Sequence, residues 1–421
     1  MKVLSRTFIS LKERDFRYLM LGTLGIGLGQ WLQQIGLGWL LYERTGQATQ
    51  LAVLYAIRGG TALVAAPIGG VLGDRFSRRL VLIVVTMASA GQASVLSVLV
   101  LSGQVQVWHL YVFIILEALT NGINQPTRQA FVFNITTREN LTNAISLNTI
   151  GNNVSRIVGP NLAGMIIGFA GVGYCFVVLA IMKLAAAFFT FLIRATAGRP
   201  TAARKKESPF SSFIEGIRYA AKDKAIMALI LINGVKPLLI LPYVGFLPVF
   251  AKDVFYKGDE GWAVGYGLLA SGLAFGAIPS ALFLAYKGNF RGMGRIMIIT
   301  LLGYDLMILL FSRQEMIWLG WACLIGSGVF FVISTTLTTT LIQLWTKDDS
   351  MRARVMSLQS LESGLQPLGS LPMGMAIDRF GAPNTITVFT TAAAVSVCLI
   401  ALFAPQIRKD PEMTEEKVPT G

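Results

Sequence analysis

Arg58, Glu117, Arg156, Lys183, Lys236, Asp305 and Glu362 stand inside otherwise apolar stretches of this 421-residue chain. Ionisable groups are expensive in hydrocarbon, so those that persist there face an interior, pair with one another or carry protons. Their chemistry is reversible protonation and ion pairing rather than bond-making. Glu117 leads as a proton site. It lies roughly 15 Å into its apolar stretch at the α-helical rise, between Arg58 at roughly 10 Å and Arg156 at roughly 21 Å. A carboxylate so placed is pulled toward the neutral form by burial and toward the anion by a nearby arginine. A permanent Glu–Arg pair that only positions helices is the alternative. Glu362 and then Asp305 are the reserve carriers. Lys236 and Glu362 lie near the middle of their stretches and can form a charge pair, which attracts equally in a structural or a ligand-binding role.

Uncharged groups offer binding rather than catalysis. Gln33 and Gln34, beside Trp31 and Trp39, combine hydrogen bonding with aromatic surface. Such walls suit an amphiphilic organic molecule, and equally serve as interhelical glue. Ser334, Thr335, Thr336, Thr338, Thr339 and Thr340 are expected to bond mainly to their own helix carbonyls. The one histidine, His109, sits between Trp108 and Tyr111 at a helix end, a grouping that an interfacial aromatic belt explains. The chain has no phosphate-binding Gly-x-x-x-x-Gly-Lys-Ser/Thr loop, so ATP is not its energy source and an ion gradient is the natural driver. Cys175, Cys323 and Cys398 have neither paired nor metal-ligand spacing, which argues against disulfides and metal sites. No cofactor is implied.

The elements that must hold these groups are membrane helices. Only 14% of residues are charged and 54% are hydrophobic, where a soluble domain carries about 25% charged. Apolar spans are read at 17–42, 51–73, 80–102, 107–129, 143–170, 172–194, 225–251, 262–286, 294–312, 316–345, 352–377 and 384–404. Each approaches or exceeds the ~20 residues of a helical crossing. The expected fold is an all-α polytopic membrane protein with twelve transmembrane helices. Lys and Arg concentrate on the side of the termini, and the other side holds only Arg44, Lys252, Lys257, Arg313 and Arg379. By the positive-inside rule both termini are cytoplasmic. The net charge of +14 therefore reflects topology and not a nucleic-acid partner. The first span has no cleavage site and is too long for a signal peptide, so it is retained.

The largest polar break, 195–224, separates an N-terminal unit (1–194) from a C-terminal one (225–421). Within it, Pro209 suits the first helical position, and Phe210, Phe213, Ile214 and Ile217 fall on one face. An amphipathic helix on the inner membrane surface is expected, with a lipid-sensing or regulatory role as the alternative. Gly60, Ala62, Ala65 and Pro67 recur as Gly272, Ala274, Ala277 and Pro279, and Ser146–Thr149 recurs as Ser357–Ser360. Both offsets equal half the chain, so two pseudo-symmetric six-helix bundles are expected.

Two motifs carry a family resemblance. Gly70-Val71-Leu72-Gly73-Asp74-Arg75-Phe76-Ser77-Arg78-Arg79 lies between the second and third spans. It resembles the Gly-x-Leu-Ala-Asp-Arg-x-Gly-Arg-Arg signature of major facilitator superfamily transporters, matching at Gly70, Leu72, Asp74, Arg75, Arg78 and Arg79. In the fifth span, Gly151, Ser155, Arg156, Gly159, Pro160, Ala163 and Gly164 resemble the family's antiporter motif, which goes with export. Asn124-Gln-Pro126-Thr-Arg128-Gln129-Ala130, Ala144 to Asn148 and Arg354-Val-Met-Ser357 look like the enterobactin-exporter and macrolide-efflux branch. The resemblance runs from Phe16 to about Phe403.

It implies a secondary transporter that exports small organic molecules by proton antiport across the cytoplasmic membrane and works as a monomer in the lipid bilayer. It also implies that spans 1, 2, 4, 5, 7, 8, 10 and 11 line the cavity, which lowers Lys183 and Asp305 in rank. Asp74 is expected to close an inner gate against the start of the eleventh span. Pro237, Pro242 and Pro248, with Pro367 and Pro372, supply bends where a gate can form. A nutrient importer of the same superfamily, and a transport-inactive scaffold or receptor, are the competing readings.

Overall fold

A computed structural model describes residues 9–136, 140–194, 209–258, 261–287, 292–346 and 361–408, with positions 290, 348, 351, 354–356 and 358. Every regular element among them is helical. In order these are α1 (Arg14–Thr45), α2 (Ala48–Arg75), α3 (Arg78–Leu101), α4 (Val107–Ile135), α5 (Leu141–Ala170) and α6 (Val172–Leu192). The short α7 (Pro209–Ala220) precedes α8 (Lys224–Phe255), α9 (Trp262–Lys287), α10 (Met293–Ser312), α11 (Ile317–Trp345), α12 (Leu361–Phe380) and α13 (Ala382–Phe403). Eight are long and apolar enough to cross a membrane: α2, α3, α6, α8, α9, α10, α11 and α13. The other long helices, α1, α4, α5 and α12, carry most of the amide and acidic side chains inside helices, including Gln33, Gln34, Glu117, Asn121, Asn152 and Glu362. Helices that put polar groups toward an interior lose hydropathy for that reason.

Helix ends follow local chemistry. α1 stops at Gly46, whose left-handed φ of 63° lets its N–H bond back to Tyr42 O, the usual glycine solution for orphaned terminal carbonyls. α8 is irregular where its prolines stand: a π segment at Lys236–Ile240, a 3-10 segment at Leu241–Phe246 and a second π segment at Phe250–Phe255. Proline has no N–H and clashes with the preceding turn, so the backbone ladder shifts register around it. Pro209 opens α7, and its Ile214 and Ile217 are exposed, 40% and 42%, as an interfacial face requires. The preceding residues 195–208 lie outside the described residues.

α1 packs on α5 and α6, α2 on α4, and α3 on α6; in the second set, α10 packs on α11 and α13, and α9 on α11. The two sets meet along α2–α12 and α5–α9. Several of the described contacts between the sets lie toward the end opposite the termini, here the far end. Trp39 stacks on Trp262 with centroids 5.3 Å apart. The Tyr42 hydroxyl donates to Asp253 at 2.5 Å, and Lys252 pairs with Glu43 at 2.8 Å. Gly164 lies against α9 so closely that an added Cβ would be 2.7 Å from Ala263 O and 3.0 Å from Gly267 Cα. Gly369 of α12 meets the π segment of α8, directly against Leu238 O. At the end that carries the termini, α7 instead touches the segment between α11 and α12, through Glu215 with Arg354 and Gly216 against the Arg354 carbonyl.

Candidate functional site

The first charged cluster lies among α1, α3, α4 and α6. Glu117 is buried on α4. Asn121, one turn further along, donates to its Oε1, and its Oε2 has no hydrogen-bond partner. Lys183 reaches in from α6, donating to Gln33 Oε1 at 2.9 Å and Ser89 Oγ at 2.5 Å. Glu117 and Arg58 both act electrostatically on that ammonium. Arg58 donates to Gln34 Oε1 at 3.2 Å. A small cavity is lined by Gln30, Ser89, Glu117, Asn121 and Lys183 among others. A second is lined by Gln33, Gln34, Arg58 and Glu117. The carboxylate thus lines both cavities, one with the Lys183 ammonium and the other with the Arg58 guanidinium.

Sequence reasoning misassigned two members. Lys183, ranked low because its helix was expected on the periphery, belongs to the Glu117 cavity: its four-carbon stem spans the distance from α6 to α1 and α3. Arg156, expected to bracket Glu117, is exposed on α5 and lines neither cavity. The azimuth around each helix axis, and not only the depth along it, decides which groups meet. Ser89 and Asn121 were missed altogether, although both are polar residues inside apolar runs.

A second cluster lies in the other half. Lys236, 1% exposed, stands where the first π segment of α8 begins. It donates to Thr335 Oγ1 at 3.2 Å and lies 5.8 Å from the Phe331 ring centroid. It is also the cation that acts on Asp305 of α10, a buried carboxylate whose two oxygens have no hydrogen-bond partner. Glu362, the partner expected for Lys236, has its side chain outside the described residues. Three other hydroxyls of α11 bond to their own helix: Ser334 to Phe331 O, Thr338 to Ser334 O and Thr340 to Thr336 O.

The two motifs are placed as follows. α2 continues through Gly70 and Asp74 to Arg75, leaving only Phe76 and Ser77 between helices, so most of the stretch expected between the spans is helix. The Asp74 side chain and Gly70 packing lie outside the described residues. Arg75 is exposed. Arg78 donates to Ala130 O at 3.1 Å, and Arg79 to Phe191 O at 2.5 Å with its guanidinium 5.6 Å from the Phe191 ring centroid. Both arginines tie the start of α3 to its neighbours α4 and α6. In the other motif, Gly151 lies against Met20 and Gly159 against Trp31, both on α1, while Pro160 O and Gly164 face Gly267 of α9. His109 accepts from Gln106 N at 2.9 Å and completes a capping box at the start of α4.

The comparisons with known proteins agree with this geometry. A family model described as "Transmembrane secretion effector" matches residues 5–419. The staphyloferrin A transporter of Staphylococcus aureus is 23% identical over 397 residues, covering 92% of this chain and 95% of the relative. Macrolide efflux protein A of Streptococcus pyogenes is 24% identical over 385 residues, covering 89% and 91%. A solved bacterial homolog of the human lysosomal transporter Spinster, in an inward-facing and unoccupied conformation, superposes with TM-score 0.71 at 13% identity, covering 94% of this chain and 99% of that one. With a family model spanning nearly its whole length, the chain belongs to the transmembrane secretion effector family of the major facilitator superfamily, a family of membrane transporters and not of enzymes.

Proposed function

We propose that the protein exports small organic molecules across the cytoplasmic membrane by proton antiport, with Glu117 as the proton carrier. The observation that carries this reading is the Glu117 cavity: a buried carboxylate with one unpartnered oxygen, next to a buried ammonium that spends its hydrogen bonds elsewhere. Loading a proton on Glu117 removes a costly buried charge; losing it restores attraction to Lys183 and Arg58. Relatives named for macrolide efflux and for staphyloferrin A transport support organic cargo. The antiporter-type α5 favours export over import.

The finer architecture belongs to the same reading. Twelve crossings form two six-helix bundles, 1–194 and 225–421, joined by 195–224, with both termini cytoplasmic. One such unit suffices for transport. The contacts described between the two sets of helices at the far end support a state that opens toward the cytoplasm. Asp74 then closes the inner gate against the start of α12 when the bundles rock the other way.

Everted membrane vesicles test the function. A panel of macrolides, siderophores and dyes should include at least one compound that accumulates inside when the lumen is acidic, and a protonophore should abolish the accumulation. Uptake in the opposite direction, or accumulation indifferent to the protonophore for every compound, would contradict the proposal.

A further inference from the structure

A third cavity opens nearer the end that carries the termini and shares Gln30, Asn121 and Asn124 with the Glu117 cavity. Arg128 of α4 lines it and is only 7% exposed. Its Nε donates to Asn124 Oδ1 at 3.2 Å, and one terminal nitrogen reaches Thr23 Oγ1 of α1 at 3.4 Å. The other terminal nitrogen is buried without a hydrogen-bond partner. Among the described residues lining the cavity there is no carboxylate; the remaining polar wall is amide, including Gln125, Asn148 and Asn152.

A buried guanidinium is normally satisfied by a carboxylate or by several carbonyls, because its five donors cannot be switched off by deprotonation. Here the two acceptors are neutral and one nitrogen has none. The planar fork is suited to two-point recognition of an oxyanion, and the surrounding amides can donate to further oxygens. From this we infer that Arg128 is an anion-binding subsite that receives a carboxylate, or an equivalent acidic oxygen, of a small soluble molecule entering from the side of the termini. It deepens the export reading and rests on it: the transported molecule carries an acidic group, and Arg128 is its first fixed contact before the Glu117 cavity.

Citrate, a compact polycarboxylate, is the probe. The purified full chain in neutral-lipid nanodiscs should be stabilised against heat by citrate in a saturable way. Arg128→Gln should weaken the apparent affinity on the order of tenfold or more, as expected for loss of a charged hydrogen-bond donor, and Arg128→Lys should weaken it less. Asn152→Asp, which adds a competing carboxylate to the same wall without touching the arginine, should weaken citrate binding and keeps the test decisive if Arg128→Gln does not fold. Citrate affinity unchanged in these variants, or no citrate response in the wild type, would overturn the assignment. Stabilisation obtained only by adding phosphatidylglycerol to the discs, and lost in Arg128→Gln, would assign the site to a lipid phosphate and also overturn it. Export that persists without Arg128-dependent citrate binding removes this inference alone; Arg128-dependent binding without any export removes the export reading alone.

Discussion

Asp378, in the last turn of α12, caps the first turn of α2: its carboxylate accepts from the backbone N–H of Ala48 at 2.6 Å and of Thr49 at 2.9 Å. The residue that should cap α2 locally, Gln47, makes no side-chain cap bond. A helix N-terminus presents orphaned donors and partial positive charge, so a carboxylate supplied by another helix ties the two together. The pair is antiparallel, and Asp74 stands at the opposite end of α2 from Asp378 at the end of α12.

Asp378→Asn keeps one acceptor and loses the charge. A cap is worth ~0.5–2 kcal/mol, so the far-end contact should loosen several-fold without unfolding the protein. A cysteine at Ala52, which packs against Gly374 of α12, reports the change. It should react faster with an impermeant maleimide in the Asp378→Asn background. Equal reaction rates in both backgrounds would show that the cap does not hold this end closed.

The helices were legible in the sequence because hydropathy and length dictate them, and the family was legible because its two motifs sit at helix ends and on one helix face. The cap by Asp378 was not. It depends on which helix lies beside α2, and the only local hint was a poor capping residue at Gln47. Lys183 was hidden by a similar effect: α6 is apolar nearly all round, so periodicity assigns no polar face, and a long stem takes the ammonium to its partners on α1 and α3. The direction of the Arg156 side chain depended on the rotation of α5, which small residues on several faces leave undetermined.

Gly164→Val should separate α5 from α9. The atoms in the way are backbone, Ala263 O and Gly267 Cα, and cannot rotate aside. Overpacking of this kind costs about 1–3 kcal/mol, seen as a lower melting temperature together with loss of transport. Gly164→Ala should show the same sign with smaller size. A valine variant as stable and active as the wild type would mean that the helices part at no cost.

Glu117 and Lys183 should be energetically coupled although the ammonium bonds to Gln33 and Ser89. Removing one buried charge leaves the other uncompensated, a loss of ~3–5 kcal/mol in comparable buried pairs. Glu117→Gln with Lys183→Gln should then be more stable than the sum of the single variants predicts, by about 1 kcal/mol or more. Strict additivity in a thermal or denaturant series would separate the two residues.

The Glu215–Arg354 contact is half exposed, with side-chain accessibilities of 43% and 21%. Surface ion pairs contribute about 0–1 kcal/mol, so Glu215→Gln should change stability by no more than that. A larger drop in melting temperature would give α7 a structural role beyond its place at the membrane surface.

Proton coupling through Glu117 is tested most directly in liposomes that contain Glu117→Gln protein, under an imposed pH gradient, with substrate flux and proton countermovement recorded together. The prediction is that gradient-driven export and its proton flux are lost, while substrate exchange without a gradient and substrate binding are retained. Gradient-driven export at the wild-type rate, with normal proton countermovement, would contradict it.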